Sequence, residues 1–271
     1  MALLPPKDLI AEAIDGKKIY NNRPRSYIGY SGMANGCLRY LKLSFHWIYT
    51  THHESRIERI FRRGDYEEAV LAKEFANIDV QLFDDQLEIT GGHGYAKGHI
   101  DGKVFNVPGH ETEIMLLEVK TMSDKRFKEY LKNGLRKTNP VYYGQIMSYM
   151  GKLGLKKCLY VVTNKNDEHR NYQIYDWDET EYNRLEDVAN SIPLMEELPN
   201  KIGGKTWHAC KYCDAKQFCH YNAKPRKSCR SCVHVSLEGE GRWSCGGALL
   251  SYEDQLKGCD NYILDGMFGV E

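Results

Sequence analysis

The sequence predicts an α/β fold in which a mixed β-sheet is flanked by helices, with a helical N-terminal region and a cysteine-rich tail. Three observations predict it. Apolar residues with helical spacing fill the first part of the chain and recur after Pro140. Short β-type runs separated by glycine and proline turns occupy residues 78–121. Seven of the nine cysteines fall between Cys210 and Cys259, which points to metal binding.

The elements follow in chain order. Ser31 can cap a helix that runs to Leu43, and helical spacing continues from Glu54 to Phe75. VQLFDDQLEIT, YAKGHIDGKVFNV and TEIMLLEVKTM predict an antiparallel meander. Pro140 suits the first turn of a helix that ends near Leu153; CLYVVTN and NYQIYDW predict strands, and ETEYNRLEDVANSIPLMEEL a helix. We divide the chain into a helical region (1–60), an α/β core (61–198) and a cysteine-rich region (199–271).

Charge and hydropathy limit the function classes. The 271-residue chain has zero net charge, which argues against a wholly basic surface but permits local patches. No apolar run reaches membrane-spanning length, and the first residues lack a signal pattern. We therefore expect a cytoplasmic protein that does not contact a membrane.

Two local patches favour nucleic acid as a partner. Residues 205–230 hold seven basic residues against Asp214, interleaved with aromatic residues. Basic and aromatic residues together are typical of surfaces that follow a strand, although an ordinary solvated surface explains either patch alone about as well. The other patch supplies the candidate DNA-binding residues Lys125, Arg126, Lys128, Arg136 and Lys137.

An acidic pair and a lysine form the candidate catalytic group. Asp101 lies in GHIDG, and Glu118 and Lys120 lie in EVK on the next long strand. Side chains alternate along a strand, so Glu118 and Lys120 share a face. Cross-strand carboxylates can hold Mg²⁺, and a lysine can steady an attacking water or developing charge. This pattern predicts a metal-dependent phosphodiester hydrolase.

Further residues complete this group. Glu68, on a predicted helix, can supply another carboxylate, and Val119 can offer its carbonyl oxygen to the metal. Gln145 and Tyr149 are four residues apart and share a helical face, where they could hold a DNA phosphate or orient Lys120. Each piece alone is a common surface pattern, but the set in this order is much more specific.

The order G-x-x-x-E, G-H-I-D, E-V-K and Q-x-x-x-Y resembles the PD-(D/E)XK nucleases of the RecB and lambda-exonuclease type, including phage and CRISPR-associated exonucleases. The resemblance covers roughly residues 60–165. It implies a restriction-endonuclease-like core, Mg²⁺ or Mn²⁺ dependence and DNA hydrolysis. It also implies that Glu68, Asp101 and Glu118 bind metal and that Lys120 is the catalytic lysine.

Cysteine spacing predicts two further sites. Cys210, Cys213 and Cys219 form C-x₂-C-x₅-C, and Cys37 can supply a fourth thiolate. This set resembles the 4Fe–4S staple of RecB-like nucleases. A Zn²⁺ site with the same ligands, or with His208 or His220 in place of Cys37, is the alternative.

The second set gathers the remaining clustered thiols. One C-x₂-C knuckle and two single cysteines can form a tetrahedral Zn²⁺ site, with His234 as a possible substitute ligand. The ligands of this predicted structural zinc are Cys229, Cys232, Cys245 and Cys259.

The hypothesis is a metal-dependent deoxyribonuclease, most simply an exonuclease on single-stranded or end-opened DNA in replication, recombination or repair, with proteins of those processes as possible partners. Two alternatives stay open: a structure-specific or DNA-trimming endonuclease, and a non-catalytic DNA-binding protein that keeps the fold.

Overall fold

A computed structural model describes residues 9–16, 23–51 and 55–269 of the chain. Within them the helices are α1 Leu9–Gly16, α2 Tyr30–Met33, α3 Leu38–Phe45, α4 Ser55–Ala76, α5 Asp124–Asn133, α6 Leu135–Thr138, α7 Pro140–Leu153, α8 Glu179–Leu194, α9 His208–Lys211, α10 Lys216–Tyr221 and α11 Tyr252–Lys257. The strands are β1 Ile28–Gly29, β2 Gln81–Phe83, β3 Glu88–Gly91, β4 Ala96–His99, β5 Gly102–Phe105, β6 Met115–Met122, β7 Lys157–Asn164, β8 Arg170–Asp176, β9 Val235–Leu237, β10 Trp243–Cys245 and β11 Ala248–Leu249.

The main sheet has five strands in the order β2-β5-β6-β7-β8. The central pair β6 and β7 is parallel, and the other neighbours are antiparallel. A parallel pair needs a crossover connection, which α5, α6 and α7 supply. The mixed α/β fold with flanking helices is confirmed.

Both faces of the main sheet are covered by helices. Leu71 and Phe75 of α4 pack with Leu117 and Val119 on one face. On the other face, buried residues of α7 and α8 such as Ile146 pack with alternate residues of β6 and β7. Because neighbouring side chains of β6 enter different cores, the strand is a nearly continuous apolar run, and its charged residues are Glu118 and Lys120.

The predicted meander over residues 78–121 is wrong in its connectivity. The hairpin β3–β4 leaves the main sheet and forms a separate three-stranded sheet with β1, which pairs in parallel with β4. Only β2, β5 and β6 enter the main sheet. The chain changes sheets at Ile100 and Asp101, between β4 and β5. Local alternation predicts strands but does not say which sheet each strand joins.

The single helix predicted from Ser31 to Leu43 is also wrong. The chain forms α2 and α3 with a break between them, where Gly36 has a φ of 80°. Cys37 caps α3, because its Sγ accepts a hydrogen bond from Tyr40 N at 3.4 Å. The break therefore places the half-buried Cys37 thiol at the start of a helix instead of within one.

The cysteine-rich region packs against the N-terminal part of the chain. Phe218 and Phe268 form a small core with Leu43 and Ile48, and Trp243 joins the main core. The predicted boundaries at residues 60 and 198 stay a prediction, and side chains from both sides of each boundary share these cores. No helix among the described residues is long and apolar enough to cross a membrane.

Arg230 anchors this packing from inside the protein. It is 1 % exposed, with its guanidinium 4.0 Å from the Trp47 ring centroid and 4.5 Å from that of Trp243. It donates to Phe45 O at 3.1 Å and Ser26 O at 2.8 Å, and burial lowers its pKa to about 9. The sequence grouped Arg230 with a basic surface patch; that part of the prediction is wrong.

Candidate active site

Asp101 lies where the chain enters the main sheet. Gly102 pairs with Leu117 across β5 and β6, so Asp101 lies opposite Glu118. Val119 N donates a hydrogen bond to Asp101 Oδ2 at 2.7 Å. The sheet register itself therefore brings the two carboxylates to one place.

Glu118 is fully buried, at 0 % exposed. The Lys120 ammonium pairs with its Oε1, and Gln145 Nε2 donates to the same oxygen at 2.8 Å. Its Oε2 is buried and has no hydrogen-bond partner among the described residues. A buried carboxylate oxygen without a partner is costly, so a proton or a cation at this position would stabilise the protein.

Lys120 is surrounded by negative groups. Besides Glu118, its Nζ lies 3.7 Å from Asp101 Oδ2 and donates to Val119 O at 3.1 Å. It also lies 5.5 Å from the ring centroid of Tyr142. Burial acts to lower the pKa of Lys120, but the charges of Glu118 and Asp101 outweigh it and raise the pKa above its usual range. The lysine is therefore a cation at neutral pH.

The carboxylates crowd one another. Burial, followed by repulsion from Asp101, raises the pKa of Glu118 to about 8. The same two causes, in the same order, raise the pKa of Glu68 on α4 to about 7. Carboxylates that repel at close range favour a shared counter-charge, and strongly shifted pKa values of this kind are typical of functional sites.

Gln145 and Tyr149 lie inside the protein, on the face of α7 that packs on the sheet. Gln145 Nε2 donates to the Tyr149 hydroxyl at 3.3 Å as well as to Glu118. The Tyr149 side chain covers Gly98 of the GHID motif, where an added Cβ would lie 2.7 Å from the tyrosine oxygen. In this structure the pair therefore orients Glu118 and does not face a substrate phosphate.

Sequence reasoning missed two neighbours of the site. Tyr142 faces Lys120, and Gln86 Nε2 donates to Glu68 Oε2 at 3.5 Å. Tyr142 stands three residues before Gln145, so the shared helical face was a signal that could have found it. Gln86 lies in the turn between β2 and β3, and local sequence carries no signal for its contact with α4.

Metal ligands at the site are available but not arranged around an ion. Within the described part of the chain, no group of three or more His, Cys, Asp or Glu side chains has the arrangement of a metal site. The donor chemistry nevertheless fits Mg²⁺ or Mn²⁺, which take carboxylate and carbonyl oxygens. The unpartnered Oε2 of Glu118 is the observation that supports this fit.

The first cysteine set lines one cavity together with Arg39, Tyr40 and Lys201; its members are Cys37, Cys210, Cys213 and Cys219. Burial is the main cause that raises the pKa of Cys213 to about 11, and the neighbouring thiols Cys219 and Cys37 add to it. Three short segments thus bring distant cysteines together as the spacing predicted, with no cluster geometry formed among them.

The second set lines a larger and more open cavity, together with His234 and Asp260; its members are Cys229, Cys232, Cys245 and Cys259. Burial raises the pKa of Cys229, and Cys259, Cys245 and Cys232 add to it in that order. Within the described residues these four thiols share one cavity but do not have the arrangement of a metal site. Thiolate donors with one histidine nearby fit Zn²⁺.

The candidate DNA-binding residues lie on α5 and α6, all of them exposed. Lys128 pairs with Asp124 at 2.9 Å, and Arg136 pairs with Asp178 at 3.2 Å. The rest, Lys125, Arg126 and Lys137, form no ion pair within the described ranges. The three unpaired cations are the ones whose charge is available to a phosphate.

No protein-family model matches the chain, and no curated protein matches it. Among solved structures it is similar to the alkaline exonuclease LHK-Exo from Laribacter hongkongensis (TM-score 0.44, 16 % identity, 62 % of this chain and 87 % of that chain). It is also similar to SSO0001 (TM-score 0.43, 17 % identity, 76 % and 94 %) and to a phage-related exonuclease from Haemophilus somnus 129PT (TM-score 0.43, 10 % identity, 61 % and 91 %).

Proposed function

We propose that this protein is a Mg²⁺- or Mn²⁺-dependent deoxyribonuclease that acts as an exonuclease on single-stranded or end-opened DNA. The observation that carries the proposal is the buried Glu118, held between Lys120 and Gln145 with one oxygen unpartnered and Asp101 opposite. Burying so much charge is destabilising unless the site has a ligand. A divalent cation has a charge complementary to the carboxylates of the site, and a phosphodiester has a charge complementary to Lys120.

In this proposal Glu68, Asp101, Glu118 and the Val119 carbonyl would hold the metal. When bound, that ion supplies Lewis-acid stabilisation of the phosphate charge and lowers the pKa of water. Lys120, cationic at neutral pH, places its Nζ beside two of the carboxylates, where it orients a water or offsets developing charge.

The remaining residues of the group hold this arrangement in place. Gln145 fixes the orientation of Glu118 by its hydrogen bond, and Tyr149 fixes Gln145 in turn. Asp101 is held by the Val119 N–H. Fixed donors and acceptors of this kind lower the reorganisation that a reaction needs.

Hydrolysis of end-labelled DNA tests the proposal. We expect degradation with Mg²⁺ or Mn²⁺, none with both omitted, and a loss of about 10²-fold or more in Lys120→Ala. Lys157→Ala is the matched control, since Lys157 is a lysine of the neighbouring strand that pairs with Glu113 at 3.6 Å; it should keep wild-type activity. Equal cleavage by Lys120→Ala and wild type would overturn the enzyme assignment in favour of a non-catalytic DNA-binding protein.

A covalently closed single-stranded circle separates exonuclease from endonuclease. An exonuclease leaves the circle intact while it degrades the linear form of the same sequence. Cleavage of the circle at the linear rate would replace the exonuclease assignment with an endonuclease that trims DNA or recognises its structure.

We further propose that the two cysteine sets hold structural metals, and that residues 199–271 form a metal-binding region to which the N-terminal part of the chain contributes Cys37. Cys37, Cys210, Cys213 and Cys219 would hold a 4Fe–4S cluster, and Cys229, Cys232, Cys245 and Cys259 would hold Zn²⁺. The convergence of each set on one cavity supports this.

Metal content of anaerobically purified protein tests both sites at once. Cys37→Ser should lose iron, acid-labile sulfide and visible absorbance while zinc remains, and Cys229→Ser should lose zinc while iron remains. Each variant is the control for the other. Colourless wild-type protein that carries only zinc would overturn the iron–sulfur assignment.

A further inference from the structure

The segment of residues 201–221 exposes three aromatic rings. Tyr212 is 78 % exposed, Tyr221 50 % and Trp207 42 %. Large aromatic side chains contribute most to stability when they are buried, so their exposure close together in one short segment calls for another role. Exposed aromatic groups on a charged surface are typical of binding sites.

Cations accompany the rings. Lys211 Nζ lies 5.2 Å from the Tyr212 ring centroid, and Lys216 Nζ lies 5.5 Å from that of Tyr221. Four lysines fall in residues 201–221 against the single acidic residue Asp214. The Asp214 carboxylate accepts a hydrogen bond from Thr51 at 3.5 Å, so it is directed at a neighbouring loop.

Two of these lysines also lie close together in space. Lys201 and Lys216 line the cavity of the first cysteine set, together with Arg39 and His220. The surface beside that cavity therefore has positive potential.

The geometry points to a binding surface for single-stranded nucleic acid on this segment. We name it the stacking surface; its residues are Lys205, Trp207, Lys211, Tyr212, Lys216 and Tyr221. Unpaired bases stack on exposed rings, and the phosphates between them meet cations. A duplex hides the faces of its bases, and an acidic peptide would need the lysines but not three exposed rings. The inference rests on the proposed function in that this surface would hold the strand that the active site cuts.

Fluorescence anisotropy with a labelled oligothymidylate, in buffer without added divalent cation, tests the proposal in the full chain. We expect Tyr212→Ala/Tyr221→Ala to raise Kd at least about tenfold, given the stacking energy of each base on a ring. Tyr212→Phe/Tyr221→Phe should bind as wild type, because stacking needs the ring and not the hydroxyl. Lys211→Gln/Lys216→Gln should reduce the slope of log Kd against log salt by about 1.4.

The control is Tyr172→Ala, since Tyr172 of β8 is also 51 % exposed and should not affect Kd. An oligouridylate arm distinguishes DNA from RNA as the single strand, and a duplex of matched length should bind more weakly. Unchanged Kd in Tyr212→Ala/Tyr221→Ala, or equal affinity for duplex, would refute the surface. Binding is measured without hydrolysis, so the two proposals can fail separately. A protein that binds the strand but does not cut DNA refutes only the nuclease proposal. A protein that cuts DNA but does not bind through this surface refutes only this inference.

Discussion

The candidate active site and the cysteine-rich region are assembled in different ways. The carboxylates and Lys120 come from adjacent strands whose register fixes their positions, and hydrogen bonds from Gln145 and the Val119 backbone hold Glu118 and Asp101. The cysteine cavities join residues from separate segments of the chain, and three of their thiols form hydrogen bonds with backbone atoms. The sheet therefore fixes the geometry of the active site, whereas the cysteine-rich region depends on the groups that link its cysteines and on the packing around Arg230.

The largest effect that sharpens this contrast is expected from Glu118→Gln. The change removes a carboxylate that would hold the metal but keeps the shape of the side chain, so we expect nuclease activity to fall about 10²-fold or more without loss of the fold. The Glu118 pKa of about 8 lies above its ordinary value of 4.5. The folded state therefore holds a proton that the unfolded state releases, and this contribution is full below pH 4.5 and is lost as pH rises through 8.

Thermal unfolding of metal-free protein between pH 5 and pH 9 measures the contribution of the Glu118 proton to stability. In wild type Tm should decline towards alkaline pH, and in Glu118→Gln that decline should be smaller. Glu113→Gln is the control, because this partly exposed carboxylate pairs with Lys157 at the surface; both its activity and its pH profile should match wild type. A steeper alkaline decline in Glu118→Gln would contradict the assigned proton.

Arg230→Met tests how far the cysteine-rich region depends on its anchor. The methionine fills similar space but leaves Phe45 O and Ser26 O without their donor, so we expect a loss of about 3 kcal/mol in the free energy of unfolding. Urea denaturation measures it. Arg226→Met is the matched control, since the Arg226 guanidinium lies 6.0 Å from the Trp47 centroid and is not fully buried. It should cost less than about 1 kcal/mol; equal costs would show that Arg230 is not an anchor.

Gly98→Ala tests whether the close approach of Tyr149 matters to the active site. The new Cβ would meet the tyrosine ring and oxygen, and the tyrosine must move away from Gln145. We expect about 1–3 kcal/mol of destabilisation and a fall in kcat, measured by urea unfolding and end-label hydrolysis. Gly64→Ala is the control on α4: nothing lies within 4 Å of its added Cβ, and it should stabilise the helix by up to about 1 kcal/mol. If Gly98→Ala changed neither the free energy of unfolding nor kcat, the close approach of Tyr149 would not matter to the active site.

The sequence predicted the parts of the molecule that depend on local pattern. Helix α4, strands β6 and β7 and helix α7 follow from periodicity and from Pro140, and the shared face of Glu118 and Lys120 follows from alternation along β6. What escaped prediction depends on contacts between distant segments. The transfer of β3 and β4 to a second sheet is one case, and the burial of Arg230 is another, because an arginine between two cysteines looks like a surface residue until Trp47 and Trp243 enclose it.

The smallest expected effect concerns the basic surface of α5 and α6, which belongs to neither assembly. Lys125→Gln/Arg126→Gln removes two exposed cations that form no ion pair within the described residues, so Tm should not change. DNA affinity should fall modestly and alike for all sequences, and the salt slope of single-strand binding should decrease by about 1.4. Lys128→Gln is the control, because Asp124 already pairs with that lysine, so its slope should change less. If Lys128→Gln has the larger effect, DNA competes successfully with the Asp124 pair and the strand approaches this surface from the start of α5.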